Sequence, residues 1–280
     1  MATTSPPSDP FFALTQGPDA QIDLVRCALF IARDAYPELD VELYVGRLEA
    51  MAAQLRERGA GRPGLERLQL LNRYLYEEQG FRGSPQEHYY DPRNSYLNEV
   101  LERRLGIPIT LALVYLALGR ALGLDLEGVN FPGHFLVRCA LPEEDLFIDP
   151  FVEGRLLQSQ DLEELLCRVN RGQPMPLEER FLQAASPRQM LARMLRNLKQ
   201  IHIRQRRFAQ AIRAGEQILW LQPSEAEDYR DLGYLYYQVR DSRRSLEALE
   251  EYLRRTGEPE DGDEVKSLIQ DLASRLGSLN

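Results

Sequence analysis

A helix with no face left for water sets the terms for this chain. From Ile109 to Leu122 the sequence reads ITLALVYLALGRAL, apolar on nearly every side, with Gly106-Ile107-Pro108 ahead of it and Gly123 behind. Such a helix belongs in a core, because each direction it presents is one that water disfavours. It is also shorter than the about 20 apolar residues that a membrane crossing needs. Proline suits a first helical position, where no amide donor is used, and glycine suits the position just past the last one. The remaining elements therefore have to wrap this segment, and a hydrophobic content of 44% is enough to do so.

Two strands follow. Side chains alternate faces with period two, so on a strand carrying His134 that residue shares a face with Leu136 and Arg138, opposite Phe135, Val137 and Cys139. On the next strand Phe147 and Asp149 share a face. The polar run Pro142-Glu143-Glu144-Asp145 marks a hairpin turn between them. That fold brings His134 and Asp149 opposite one another to within a residue or two. A His held by an Asp on a neighbouring strand is the base and orienter of a nucleophilic triad.

Helix start, helix, strand with His, strand with Asp-Pro is the order of the transglutaminase-like superfamily, whose fold is papain-like. The phrases YYDPRNSYLNEVLERRLGIPITL, GVNFPGHFLVR and FIDPF resemble, more narrowly, its bacterial SirB-type branch, over roughly residues 20 to 165. The resemblance implies that His134 and Asp149 are the family dyad. It also implies a Cys at the start of the helix, where the helix terminus and the His favour the thiolate. Counting back from Arg120-Ala121-Leu122-Gly123, which matches the end of that helix, the position falls on Pro108. Proline carries no attacking group.

Direction argues against the other candidates for that role. Thr110 is two positions along the helix, and at about 100° per residue it points well away from the Pro108 direction. Cys139 lies an odd number of residues after His134 and so faces the other side of the sheet, and Cys27 sits on an early helix with no local sign of activation. Two readings stay open. In the first the dyad is vestigial and the protein acts by binding a protein or peptide. In the second it is a papain-type hydrolase or acyltransferase that uses His134 and Asp149 with an unidentified nucleophile.

Elsewhere, 34 basic against 43 acidic residues give a net charge of −9, which disfavours nucleic acid or an anionic membrane as partner. The three cysteines (27, 139, 167) form no CxxC and no even framework, as expected of thiols in a reducing cytoplasm. His88, His134 and His202 lack ligand spacing, so no metal and no cofactor is expected. Residues 1–18, with four prolines and no basic residue, read as a loose tail and not an export signal. Three helices are expected before the site: Ile22 to Tyr36, Val41 to Arg58, and Leu65 to Gln79. A short one follows, capped by Asn94 or Ser95 and closed by Gly106. An amphipathic helix spans Ser159 to Val169, and 169–186, with its Gly and Pro, reads as a linker.

The last third repeats with a period of 34 residues: Leu198 matches Leu232, Ala211 matches Ser245, and Pro223 matches Gly257. The second copy has Tyr229-xx-Leu232-Gly233-xx-Tyr236, the pattern of a tetratricopeptide repeat. In the first copy Lys199 and His202 stand where Gly and Tyr would. A final helix, Asp263 to Leu276, reads as a cap on the stack. Repeats of this kind present a groove for a partner's helix or extended peptide. On the intact copy Arg230, Asp231 and Gln238 fall outside the packing positions and are the candidate partner-binding residues.

The chain is thus expected to be α+β. A papain-like, transglutaminase-like domain with an N-terminal helical subregion (19–168) precedes an all-α tetratricopeptide-repeat domain (187–280).

Overall fold

The computed structural model describes residues 9–142 and 144–277. They form two compact units, one of Gly17–Met190 and one of Leu191 onward together with the described residues up to Gln16.

Helix α1 (Pro10–Leu14) opens the described chain, with the Asp9 carboxylate accepting from the Phe12 amide and proline at the first position. This corrects the expectation of a loose tail through residue 18, whose first eight residues lie outside the described ones. Phe11 is only 1% exposed, and burying an aromatic side chain holds the segment. Helices α2 (Leu24–Arg33) and α3 (Val41–Gly59) are capped by Asp23 and Asp40, as their positions require. α4 (Gly64–Asn72) does not continue to Gln79 as a plain α-helix. From Arg73 to Glu78 the backbone widens into a π-helical turn, a form that re-aims side chains and recurs at functional sites.

Strand β1 (Arg82–Gly83) pairs in parallel with β2 (Leu105–Gly106), and α5 (Leu97–Arg103) lies between them in sequence. α5 is capped at Tyr96, not at Asn94 or Ser95. It ends at Arg104 in the left-handed conformation (φ 59°), not at Gly106, which is taken up in β2. α6 (Pro108–Ala121) is the apolar helix, buried at every residue from Pro108 to Leu116. It packs against α2, α3, α4 and α5 and against the sheet, so the wrapping that its composition demands is what the chain does.

The sheet has four antiparallel strands in the order β3 (Asp125–Val129), β4 (Leu136–Ala140), β5 (Asp145–Asp149) and β6 (Arg155–Leu157). Val137 pairs with Ile148, and the same register sets Leu136 opposite Asp149. His134 precedes β4 instead of lying on it, in a turn where its amide donates to Phe131 O at 3.1 Å. Gly133 makes that turn possible. Its φ is +67°, and a β-carbon there would meet Val169 Cγ2 at 2.3 Å.

After α7 (Ser159–Val169), residues 169–186 are not a linker. Met175, Leu177, Phe181 and Leu182 pack on a cluster formed by Val129, Phe131, Leu136, Leu157, Leu162 and Leu166. Ala184 bridges to Val129, and Ala185 N donates to Gly128 O at 2.7 Å, so the segment covers the β3 edge. The Gly and Pro punctuation masked these apolar anchors.

The second unit stacks helices: α8 (Pro187–Arg204), which begins before the unit boundary, then α9 (Phe208–Leu221), α10 (Ala226–Gln238), α11 (Ser242–Thr256) and α12 (Gly262–Gly277). Val265 and Leu272 of α12 close against Leu249 and Tyr252 of α11, as a cap should.

Candidate functional site

Asp149 ends β5 and does two jobs. Its Oδ1 accepts the amides of Phe151 at 2.9 Å and Val152 at 3.4 Å, capping a 3-10 turn that Pro150 starts. Its Oδ2 lies 2.9 Å from His134 Nε2. The carboxyl is 3% exposed, and an ionised carboxylate only accepts, so the imidazole N–H donates to it. The Phe151 ring stands edge-on to His134 at 6.0 Å, and Tyr89 stands edge-on to Phe151 at 6.2 Å. The pair is therefore oriented by a fixed turn and lined by aromatic rings.

That turn is held from behind by residues that the sequence reading did not single out. Tyr76, on the π-helical turn, donates to Pro150 O at 3.2 Å. Asn72 donates to Gly154 O at 3.0 Å and accepts from the Tyr115 hydroxyl of α6 at 2.6 Å. Burial pushes the Tyr76 and Tyr115 phenols well above their ordinary range, so both stay protonated donors. Asn94 ties the other side together. It donates to His88 O at 2.7 Å and accepts from Arg103 at 3.0 Å and, through its carbonyl, from the Thr110 hydroxyl at 2.8 Å.

Pro108 is buried at the first position of α6. The Thr110 hydroxyl is committed, accepting from the Ile107 amide at 3.0 Å while it donates to Asn94 O. Cys27 and Cys139 are fully buried, and desolvation pushes their thiols up to about 12 and about 11. Cys139 pairs with Leu126 and Leu146 inside the sheet. Among the described residues no three His, Cys, Asp or Glu side chains gather so as to hold a metal ion.

Residues 42–196 match the transglutaminase-like superfamily, and residues 198–270 match the tetratricopeptide repeat. The chain belongs to the transglutaminase-like superfamily. A UPF0162 protein of Xylella fastidiosa is 38% identical over 266 residues, covering 91% of this chain and 92% of its own length. A UPF0162 protein of Pseudomonas aeruginosa is 36% identical over 81% of each chain. Human F-box only protein 21 shares 39% identity over 107 residues, 35% of this chain and 17% of that protein.

On the repeat unit the three candidate partner-binding residues part company. Gln238 is exposed at the end of α10. Arg230 pairs with Asp261 at 2.9 Å and stands 5.5 Å from the Tyr252 ring centre. Asp231 accepts from Lys199 at 2.8 Å, and the same amine, 2% exposed, reaches Asp228 at 3.2 Å. Arg230 and Asp231 are thus half-buried pairing groups within the unit. The first copy's departure from the repeat pattern explains Asp231, because the Lys that replaces Gly at position 199 needs carboxylates and takes them from α10. Among the described residues, no helix is long and apolar enough to cross a membrane.

Proposed function

We propose that this transglutaminase-like protein, of the SirB-type branch, is non-catalytic and works in the cytoplasm by binding a protein or peptide. The observation that carries the reading is Pro108, a side chain with no attacking group, buried where the superfamily's nucleophile would open the central helix. Thr110 is held as a cap, and the two thiols of the core stay protonated. Tetratricopeptide repeats generally mediate protein–protein interaction, which supports a partner-binding role for residues 198–270. The unpaired thiols agree with a reducing compartment. Gln238 remains in the proposed partner surface, while Arg230 and Asp231 serve it by holding α10 in place.

The second reading, a papain-type hydrolase or acyltransferase, is favoured by one observation, the intact His134–Asp149 hydrogen bond at 2.9 Å. Turnover separates the two. Hydrolysis of peptidyl amides and esters, and amine incorporation into a glutamine peptide, are measured for the wild type and His134→Ala. Both should match the protein-free background. Turnover that depends on His134 would replace the first reading with the second.

A further inference from the structure

The described chain begins with an aromatic segment laid on the repeat unit. Phe11 and Phe12 of α1 stand 6.4 and 5.4 Å from the Trp220 ring of α9, the latter edge-on. Asp9 forms an ion pair with Arg213, one side chain that also lies 5.0 Å from the Trp220 ring centre. Arg213 and Trp220 therefore read an acid followed by two aromatics, with proline between acid and rings to start a helical turn.

The ring that the two phenylalanines meet keeps an unmet polar group. Among the described residues, Trp220 Nε1 is buried with no acceptor, and Gln222 Oε1, two residues on, is buried with no donor. A buried indole N–H ordinarily finds a partner. An occupant that supplied an acceptor there would gain over the chain's own segment, which is the condition for displacement. Covalent linkage lets an imperfect segment still occupy the site through its high effective concentration.

We propose that the α9 face around Arg213 and Trp220 is a recognition site for a partner peptide carrying an acidic residue followed by two aromatics. Residues 9–12 occupy it in cis as a displaceable plug. The proposal rests on the partner-binding reading and names the partner's chemistry.

The chain has a single tryptophan, so Trp220 emission reports the site directly. The probe is a dansyl-labelled peptide of residues 9–16, DPFFALTQ, titrated into the full-length protein with energy transfer from Trp220 as signal. A plug closed about nine-tenths of the time weakens the apparent affinity roughly tenfold. F11A/F12A should therefore bind the probe about tenfold more tightly than the wild type, and Arg213→Glu should abolish binding. Asp9→Lys, which keeps the aromatic contacts, should also open the site if the double variant misfolds. Arg213→Glu should in turn prefer a peptide with Lys in place of the acid. Equal affinity for the wild type, Asp9→Lys and F11A/F12A would overturn the plug, and no binding by any of them would overturn the site. A concentration-dependent dimer with swapped segments would assign the occupant to a second copy and overturn the partner. None of these results touches the turnover assay, whose outcome decides the non-catalytic reading separately.

Discussion

Replacing Asp149 tests whether the dyad is a held structural pair, because the two halves of its carboxylate have different duties. Asp149→Ala removes the carboxylate oxygens that lie 2.9 Å from the His134 ring nitrogen and from the Phe151 amide, while the Val152 contact at 3.4 Å is weaker. Hydrogen bonds to a charged group are worth about 1.5–3 kcal/mol each, so the loss of two should be about 3–6 kcal/mol. Asp149→Asn keeps one oxygen for the turn and loses the charge toward His134, which should cost about 1–3 kcal/mol. Urea unfolding followed by far-UV circular dichroism sees the helices of both units, and Trp220 emission sees the repeat unit alone, so the part of the dichroism change that Trp220 does not share is the first unit's transition. The Ala variant should lower the first transition more than the Asn variant and leave the Trp220 transition in place. Equal effects of the two substitutions would show that the amide-capping oxygen contributes nothing, and an unchanged transition in both would refute the reasoning outright.

Further outcomes follow from the packing. Gly233→Leu should unfold the repeat unit, because even a β-carbon there would sit 2.7 Å from Leu249 Cγ and Cδ2, and overpacking of this kind costs about 1–3 kcal/mol or more; loss of the cooperative Trp220 transition is the readout. Arg230→Glu should be costlier than an ordinary surface change, because it faces Asp261 and Asp231 with a like charge. A melting temperature within experimental error of the wild type would count against those pairs. Native alkylation at neutral pH should modify Cys167 and spare Cys27 and Cys139, whose thiols titrate near 12 and 11. Their raised values also set a pH dependence. The stability they contribute is whole below pH about 9, where the unfolded thiols stay protonated, and falls as pH climbs toward 11 and 12.

Much of the first unit was legible because its signals are local. The all-apolar run fixed α6 as the core helix, and strand parity brought His134 and Asp149 within two residues of register, as Leu136 opposite Asp149 shows. The hydrogen bonds that steady the pair were not legible. Tyr76 reaches Pro150, and Asn72 reaches Gly154, across more than 70 residues and from a π-helical turn that no periodicity announces. The stretch 169–186 hides its packing for a related reason: Gly and Pro dominate its appearance, while four spaced apolar side chains decide where it goes. Lys199 shows the opposite case, a visible departure from the repeat pattern whose compensation, Asp228 and Asp231, lies two helices further on.

The central claim is that no side chain beside His134 is an activated nucleophile. Intact-mass spectrometry after exposure to an activated acyl ester, with peptide mapping, tests it across every Cys, Ser and Thr at once. The wild type and His134→Ala should carry the same slow, scattered background of acylation. A single-site adduct that forms rapidly in the wild type and disappears in His134→Ala would contradict the account.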